Sequence, residues 1–135
     1  MNTYLKVKQT YSTSISSDLY KKLYSLNLRN NGSMRDILVY SKTHLDTPLF
    51  YIEQKSKILA WGLFNIINPN IYQINLYTRK AHRRRGLGKI LKESMMEYLQ
   101  QNNKKVMYAF VDKENELFWG IKRGSTGWKQ IRIAI

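Results

Sequence analysis

Apolar positions along this chain change period several times, and each change marks an element. Residues 3–8 alternate, with Leu5 and Val7 set against Tyr4, Lys6 and Lys8, which predicts a first, edge-like strand. Leu19, Tyr20, Leu23, Tyr24 and Leu26 then recur at helical spacing behind a Ser16 or Ser17 cap, and Asn30, Asn31 and Gly32 stop that helix. Ser33 followed by Asp36 resembles a capping arrangement and predicts a short second helix over 34–41, although Ile37, Leu38, Val39 and Tyr40 also suit a strand. Residues 49–52 and 58–67 are apolar runs around a polar loop at 53–57, the pattern of an antiparallel hairpin.

A turn at Asn68, Pro69 and Asn70 leads into a strand over 71–78, with Ile74 and Leu76 on one face and Tyr77 on the other. From Gly86 onward Leu87, Ile90, Leu91, Met95, Tyr98 and Leu99 keep the helical period against Lys89, Lys92, Glu93, Glu97 and Gln100, and Asn102 and Asn103 end the helix. Residues 106–111 are continuously apolar, as in a buried parallel strand, so strand, helix and strand form a right-handed crossover. A last helix is expected over 114–122 and a last strand over 128–135, with Ile131, Ile133 and Ile135 on one face. The order describes an α/β sandwich with a mixed sheet.

Composition narrows this picture. The 135 residues suit one domain, 1–135, and 43% apolar and 13% aromatic content favours a packed globule. The chain has no cysteine, which removes disulfides, thiolate metal sites and a cysteine nucleophile and fits a reducing cytoplasm. Polar residues interrupt the first eleven positions, unlike a signal peptide, and no uncharged apolar run is long enough to span a bilayer; a cytoplasmic protein without a membrane partner is expected. A formal charge of +14, with no acidic residue between Glu53 and Glu93, implies attraction to polyanions without choosing among them. His44 and His82 have no third ligand nearby, so no metal is expected.

The chemistry concentrates at Arg83, Arg84, Arg85, Gly86, Leu87 and Gly88, directly after one strand and directly before one helix. The glycines let the backbone pass close to a bulky anion, and the helix then points unpaired N–H groups at it. Backbone N–H groups of residues 84–89 are thus suited to a pyrophosphate, aided by the helix dipole.

With Tyr77 and Thr78 before it and Lys89, Ile90 and Leu91 after it, this stretch resembles the acetyl-CoA-binding motif of the GNAT superfamily of N-acetyltransferases, over residues 49–128. The resemblance implies a GNAT-like mixed central sheet flanked by helices. It implies acetyl-CoA as co-substrate, its pantetheine arm in a gap between the motif strand and the next, bonded to Leu76, Tyr77 and Thr78. The pyrophosphate would lie on Arg83, Arg84, Arg85, Gly86, Leu87, Gly88 and Lys89, and Asn115 would contact the arm. The implied reaction is direct attack of an amine on the thioester in a ternary complex. An oxyanion donor is expected among the strand N–H groups near Tyr77 or Thr78.

The chain departs from the family at three points. It has no tyrosine after Tyr108, where members carry one that protonates the leaving thiolate, and the motif strand has no acidic residue; Asp112 and Tyr108 are the remaining candidates for proton handling. Both also have ordinary roles, Asp112 as a helix cap and Tyr108 in the core. Where members commonly finish with two strands there is room for one, which leaves two expectations for the acceptor side: that it is open, or that a second subunit completes it in a homodimer. Basic residues outside the motif, among them Lys6, Lys8, Lys21, Lys22 and Arg132, make an amine on an acidic protein or a nucleic-acid-associated partner a better match than a polycation. Two other classes remain: a basic nucleic-acid-binding protein, and a CoA-binding interaction module without catalysis.

Overall fold

Six strands form one sheet in chain order: β1 (Val7–Tyr11), β2 (Pro48–Gln54), β3 (Lys57–Asn68), β4 (Ile71–Thr78), β5 (Val106–Val111) and β6 (Lys129–Ala134). Every neighbouring pair is antiparallel except β4 and β5, which the chain joins through the helix α2 (Leu87–Gln101), since parallel strands need a crossover. The computed structural model describes residues 5–27, 36, 38–42, 46–78, 82, 86–104, 106–111 and 129–134. Helix α1 (Ser17–Asn27) begins where the Ser16 side-chain oxygen accepts the Leu19 N–H at 3.1 Å. Residues 36 and 38–42 are also helical. The helix expected over 114–122 lies outside the described residues. Among the described residues no helix is long and apolar enough to cross a membrane.

The sheet has a helix on each face. Leu87, Leu91, Met95 and Leu99 of α2 are buried against Phe50, Ile52, Phe64 and Ile74 on one face, each burial stabilising by about 1.5–3 kcal/mol. Leu19 and Leu23 of α1, with Leu38, bury Leu49, Trp61, Leu63 and Tyr77 on the other. The expected split of Ile74 and Leu76 from Tyr77 is therefore present. Between α2 and β3 the approach is close: a Cβ added at Gly62 would lie 2.6 Å from Met95 Sδ and 2.8 Å from Leu76 Cδ2.

Two boundaries differ from expectation. The first strand runs over Val7–Tyr11, so that of the expected 3–8 Leu5 and Lys6 precede it and residues 3 and 4 lie outside the described residues; its place is set by pairing with β2, Val7 opposite Ile52 and Tyr11 opposite Pro48. The hairpin loop shrinks from 53–57 to Lys55 and Ser56, both at positive φ (51° and 65°), as a twisted two-residue turn requires. The register slips by one between Ile52 and Glu53, so Leu59 is an extra residue on β3. That bulge puts consecutive Leu59 and Ala60 on the α2 face, breaking the alternation. At the far end of α2 Asn103 has φ 61°, and the Lys104 and Asn103 N–H groups donate to Leu99 O and Gln100 O, closing the helix as a Schellman turn.

Candidate active site

Strands β4 and β5 begin as neighbours and then part. Their ladder contains Gln73 opposite Tyr108 and Ile74 opposite Ala109. Beyond it, Asn75, Leu76, Tyr77 and Thr78 follow β3, opposite Leu63, Gly62, Trp61 and Ala60, while Phe110 and Val111 follow β6. Each strand keeps its antiparallel partner, and the weaker parallel pairing gives way as the sheet twists. The result is an opening at the carboxyl ends of two parallel strands, where open α/β sheets bind ligands.

Helix α2 starts at the same end, only residues 79–85 separating Thr78 from Gly86. Gly86 caps the helix in the left-handed region at φ 79°, with no side-chain cap and no acidic residue in the first turn. The first helical bond runs from the Ile90 N–H to Gly86 O at 3.0 Å, so the N–H groups of Leu87, Gly88 and Lys89 precede the helical ladder. Among the described residues nothing lies within 4 Å of a Cβ placed on Gly86. A helix N-terminus, with its first N–H groups outside the helical ladder and its positive dipole end, suits an anion. Lysines crowd the same turn: burial holds the Lys92 ammonium below lysine's ordinary 10.5, Lys89 pushes the same way and Glu93 opposes them.

The structure sorts the residues expected at the site. Leu76, Tyr77 and Thr78 stand on the diverging segment of β4, and Gly86, Leu87, Gly88 and Lys89 form the cap and first turn of α2. The side chains of Tyr77 (5% exposed) and Leu87 (1%) belong to the two cores. These two residues thus present only backbone to a ligand. Tyr108 is half-buried on β5 opposite Gln73, one row before the last pair that β4 and β5 share. Arg83, Arg84, Arg85, Asp112 and Asn115 lie outside the described residues.

Around Tyr108 stand three residues that were not singled out from the sequence, Asn65, Gln73 and Asn75. Asn65, Gln73 and Tyr108 are cross-strand neighbours on β3, β4 and β5, on the face that carries α1, and Asn75 follows Gln73 on that face. Alternation puts Gln73 and Asn75 on the face of Tyr77, opposite Ile74 and Leu76, and Gln73 is 4% exposed. Asn75 Nδ2 donates to Leu63 O at 3.4 Å and Gln73 O at 3.2 Å, which fixes its amide.

The profile of the acetyltransferase (GNAT) family matches residues 16–117 of the chain. Solved structures with the same fold include an acyl-CoA N-acyltransferase from Pseudomonas aeruginosa, 12% identical with a TM-score of 0.77, covering 96% of this chain and 99% of that one. An N-acetyltransferase from Campylobacter jejuni in complex with acetyl coenzyme A is 15% identical with a TM-score of 0.65, covering 96% and 99%. An N-acetyltransferase from Staphylococcus aureus Mu50 is 12% identical with a TM-score of 0.62, covering 86% and 78%. Curated protein sequences give no significant match.

Proposed function

The chain belongs to the acetyltransferase (GNAT) family, and from that membership we propose that it transfers an acetyl group from acetyl-CoA to an amine acceptor by direct attack in a ternary complex. One observation carries the reading: the parting of β4 and β5 after Ile74 and Ala109 lies at the same end of the sheet as the uncapped start of α2. An extended arm and a pyrophosphate joined to it need these two features together. Acetyl-CoA would supply the activated thioester.

In this reading the backbone of Leu76, Tyr77 and Thr78 binds the pantetheine arm, and an N–H near Tyr77 or Thr78 faces the thioester oxygen. The N–H groups of Leu87, Gly88 and Lys89 hold the pyrophosphate, and Gly86 keeps the space above the helix clear. Arg83, Arg84 and Arg85 add charge to that anion, and Asn115 contacts the arm. Tyr108, beside the opening, and Asp112, just past the end of β5, handle the amine proton. The chain acts as a single domain in the cytoplasm, and a second copy completes the acceptor side.

Thermal denaturation with and without CoA tests the donor half. CoA or acetyl-CoA raises Tm, and Gly86→Glu abolishes the rise by placing a carboxylate in the anion's space. Gly86→Asn, which tolerates the left-handed backbone and adds no charge, retains part of it. No CoA-dependent rise in the wild-type protein, together with steeply salt-dependent nucleic-acid binding, would overturn the reading. Thiol release from acetyl-CoA on adding an amine tests turnover.

A further inference from the structure

The row Asn65, Gln73 and Tyr108, with Asn75 beside it, is the polar part of a sheet face whose neighbouring residues Trp61, Leu63 and Tyr77 are buried. A primary amide in such a place carries a cost unless its donors and acceptor are satisfied. Asn75 uses its Nδ2 within the sheet, and among the described residues its Oδ1 and the amide of Gln73, a residue only 4% exposed, have no hydrogen-bond partner within the protein. Both residues flank the point where β4 and β5 part, on the face opposite α2. If phosphates sit at the start of α2, the opening leads from them to this amide row. The acceptor then arrives from the α1 face.

We propose that this row recognises the acceptor, and that the acceptor is the free α-amino group of a peptide, whose first peptide bond pairs with the amides of Gln73 and Asn75. The assignment rests on the acetyl-transfer reading above and adds the substrate class. A peptide bond offers one donor and one acceptor side by side, and a primary amide offers the complementary pair. Asn65, Gln73 and Asn75 carry no charge, and the residue opposite Tyr108 on β6 is the basic Arg132, so the row offers no anion to hold a protonated amine and favours one that has already lost its proton. An α-amino group, with a pKa of about 7.7–8.0 against about 10.4 for lysine, has roughly a 230- to 420-fold larger neutral fraction at pH 7. Its nitrogen lone pair forms the new C–N bond to the thioester carbonyl carbon, and the C–S bond breaks. One amine proton is lost as the CoA thiol is formed, giving N-acetyl peptide and CoA.

The test uses thiol release from acetyl-CoA with tetrapeptide amides of sequence Xaa-Ala-Ala-Ala, and a matched set acetylated at the N-terminus with lysine at the second position. At least one free α-amine peptide reacts more than 100-fold faster than any blocked lysine peptide at pH 7.5. Its kcat/KM rises with pH and levels near 8, following the acceptor's own ionisation. Gln73→Leu and Asn75→Leu each raise the peptide KM tenfold or more, while the CoA-induced rise in Tm persists and confirms that each variant is folded. Should Gln73→Leu not fold, Asn75→Leu and the wild-type pH profile still decide.

Faster reaction of the lysine set overturns the proposal. So does failure of every peptide while CoA still raises Tm, or an unchanged KM in the folded variants. Absence of any CoA effect on the wild-type protein removes the underlying acetyl-transfer reading instead, which keeps the two failures apart.

Discussion

Ile74 and Ala109 are the last residues that β4 and β5 share as a pair. From there each strand follows its antiparallel neighbour, and the sheet opens beside Leu76 while staying closed between β2 and β3. The opening lies at a fixed level of the sheet, next to Gln73 and Tyr108 on one face and within reach of the start of α2 on the other.

Hydrogen exchange should report this geometry directly. Adding CoA slows amide exchange in peptides covering 76–78 and 86–89 and leaves the β2–β3 hairpin unchanged. Protection confined to surface lysine segments would instead indicate non-specific attraction to a basic protein.

Gly62 should be intolerant of even one methyl group. Met95 Sδ and Leu76 Cδ2 stand 2.6 and 2.8 Å from the position of its Cβ, and Asn75 O stands at 3.2 Å. Gly62→Ala is expected to destabilise by about 1–3 kcal/mol and Met95→Ala alone by about 2–5 kcal/mol. The double variant loses less than the sum, because truncating Met95 vacates the space the new methyl group needs. Chemical denaturation of the four proteins measures the coupling.

Ser12 and Thr47 should respond in opposite directions. The Ser12 hydroxyl donates to Ser41 O at 3.1 Å and accepts the Thr47 N–H at 3.0 Å, tying the end of β1 to the helical residues before β2. Ser12→Ala leaves a buried N–H unpaired and is expected to cost about 1–3 kcal/mol. Thr47 Oγ1 is itself buried with no partner among the described residues. Thr47→Val, which removes that hydroxyl at nearly constant volume, is expected to leave stability unchanged or raise it by about 1 kcal/mol. Equilibrium unfolding of both variants checks the contrast.

Glu53 predicts an acid-side loss of stability. Its carboxylate accepts from Lys8 Nζ at 3.1 Å and Lys22 Nζ at 3.2 Å, joining β2 to β1 and α1. These bonds, Lys8 first, hold its pKa below the ordinary 4.5 against the effect of burial. A carboxylate whose pKa is lower folded than unfolded stabilises fully above the unfolded value, and the contribution is lost as pH falls through the folded one. The Tm difference between the wild-type protein and Glu53→Gln should therefore be constant at neutral pH and shrink below the ordinary value of 4.5. It should also shrink in high salt, since the pairs are partly exposed.

The elements that could be read from the sequence are those whose evidence is local. Leu87, Leu91, Met95 and Leu99 repeat within one helix, and Gly86 precedes them where the backbone turns left-handed, so α2 and its cap are visible in a short window. The same holds for Ile74 and Leu76 against Tyr77, whose faces follow from strand alternation alone. By contrast, the start of β1 depends on Pro48 and Ile52, some forty residues away, and the slip at Leu59 depends on how β2 meets β3. The burial of Gln73 could not be read from the sequence either, because alternation tells which residues share a face and says nothing of what covers that face.

The sequence by itself determined the α/β order and the placing of a glycine-containing, basic turn between a strand and an amphipathic helix. These rest on backbone freedom, helical period and charge, which act within a few residues. Only the tertiary structure decided where β4 leaves β5, and that Gln73, Asn75 and Tyr108 meet beside that opening. Cross-strand register is a contest between partners distant in the chain, here β3 and β6 drawing β4 and β5 apart, and no short stretch of sequence records its outcome.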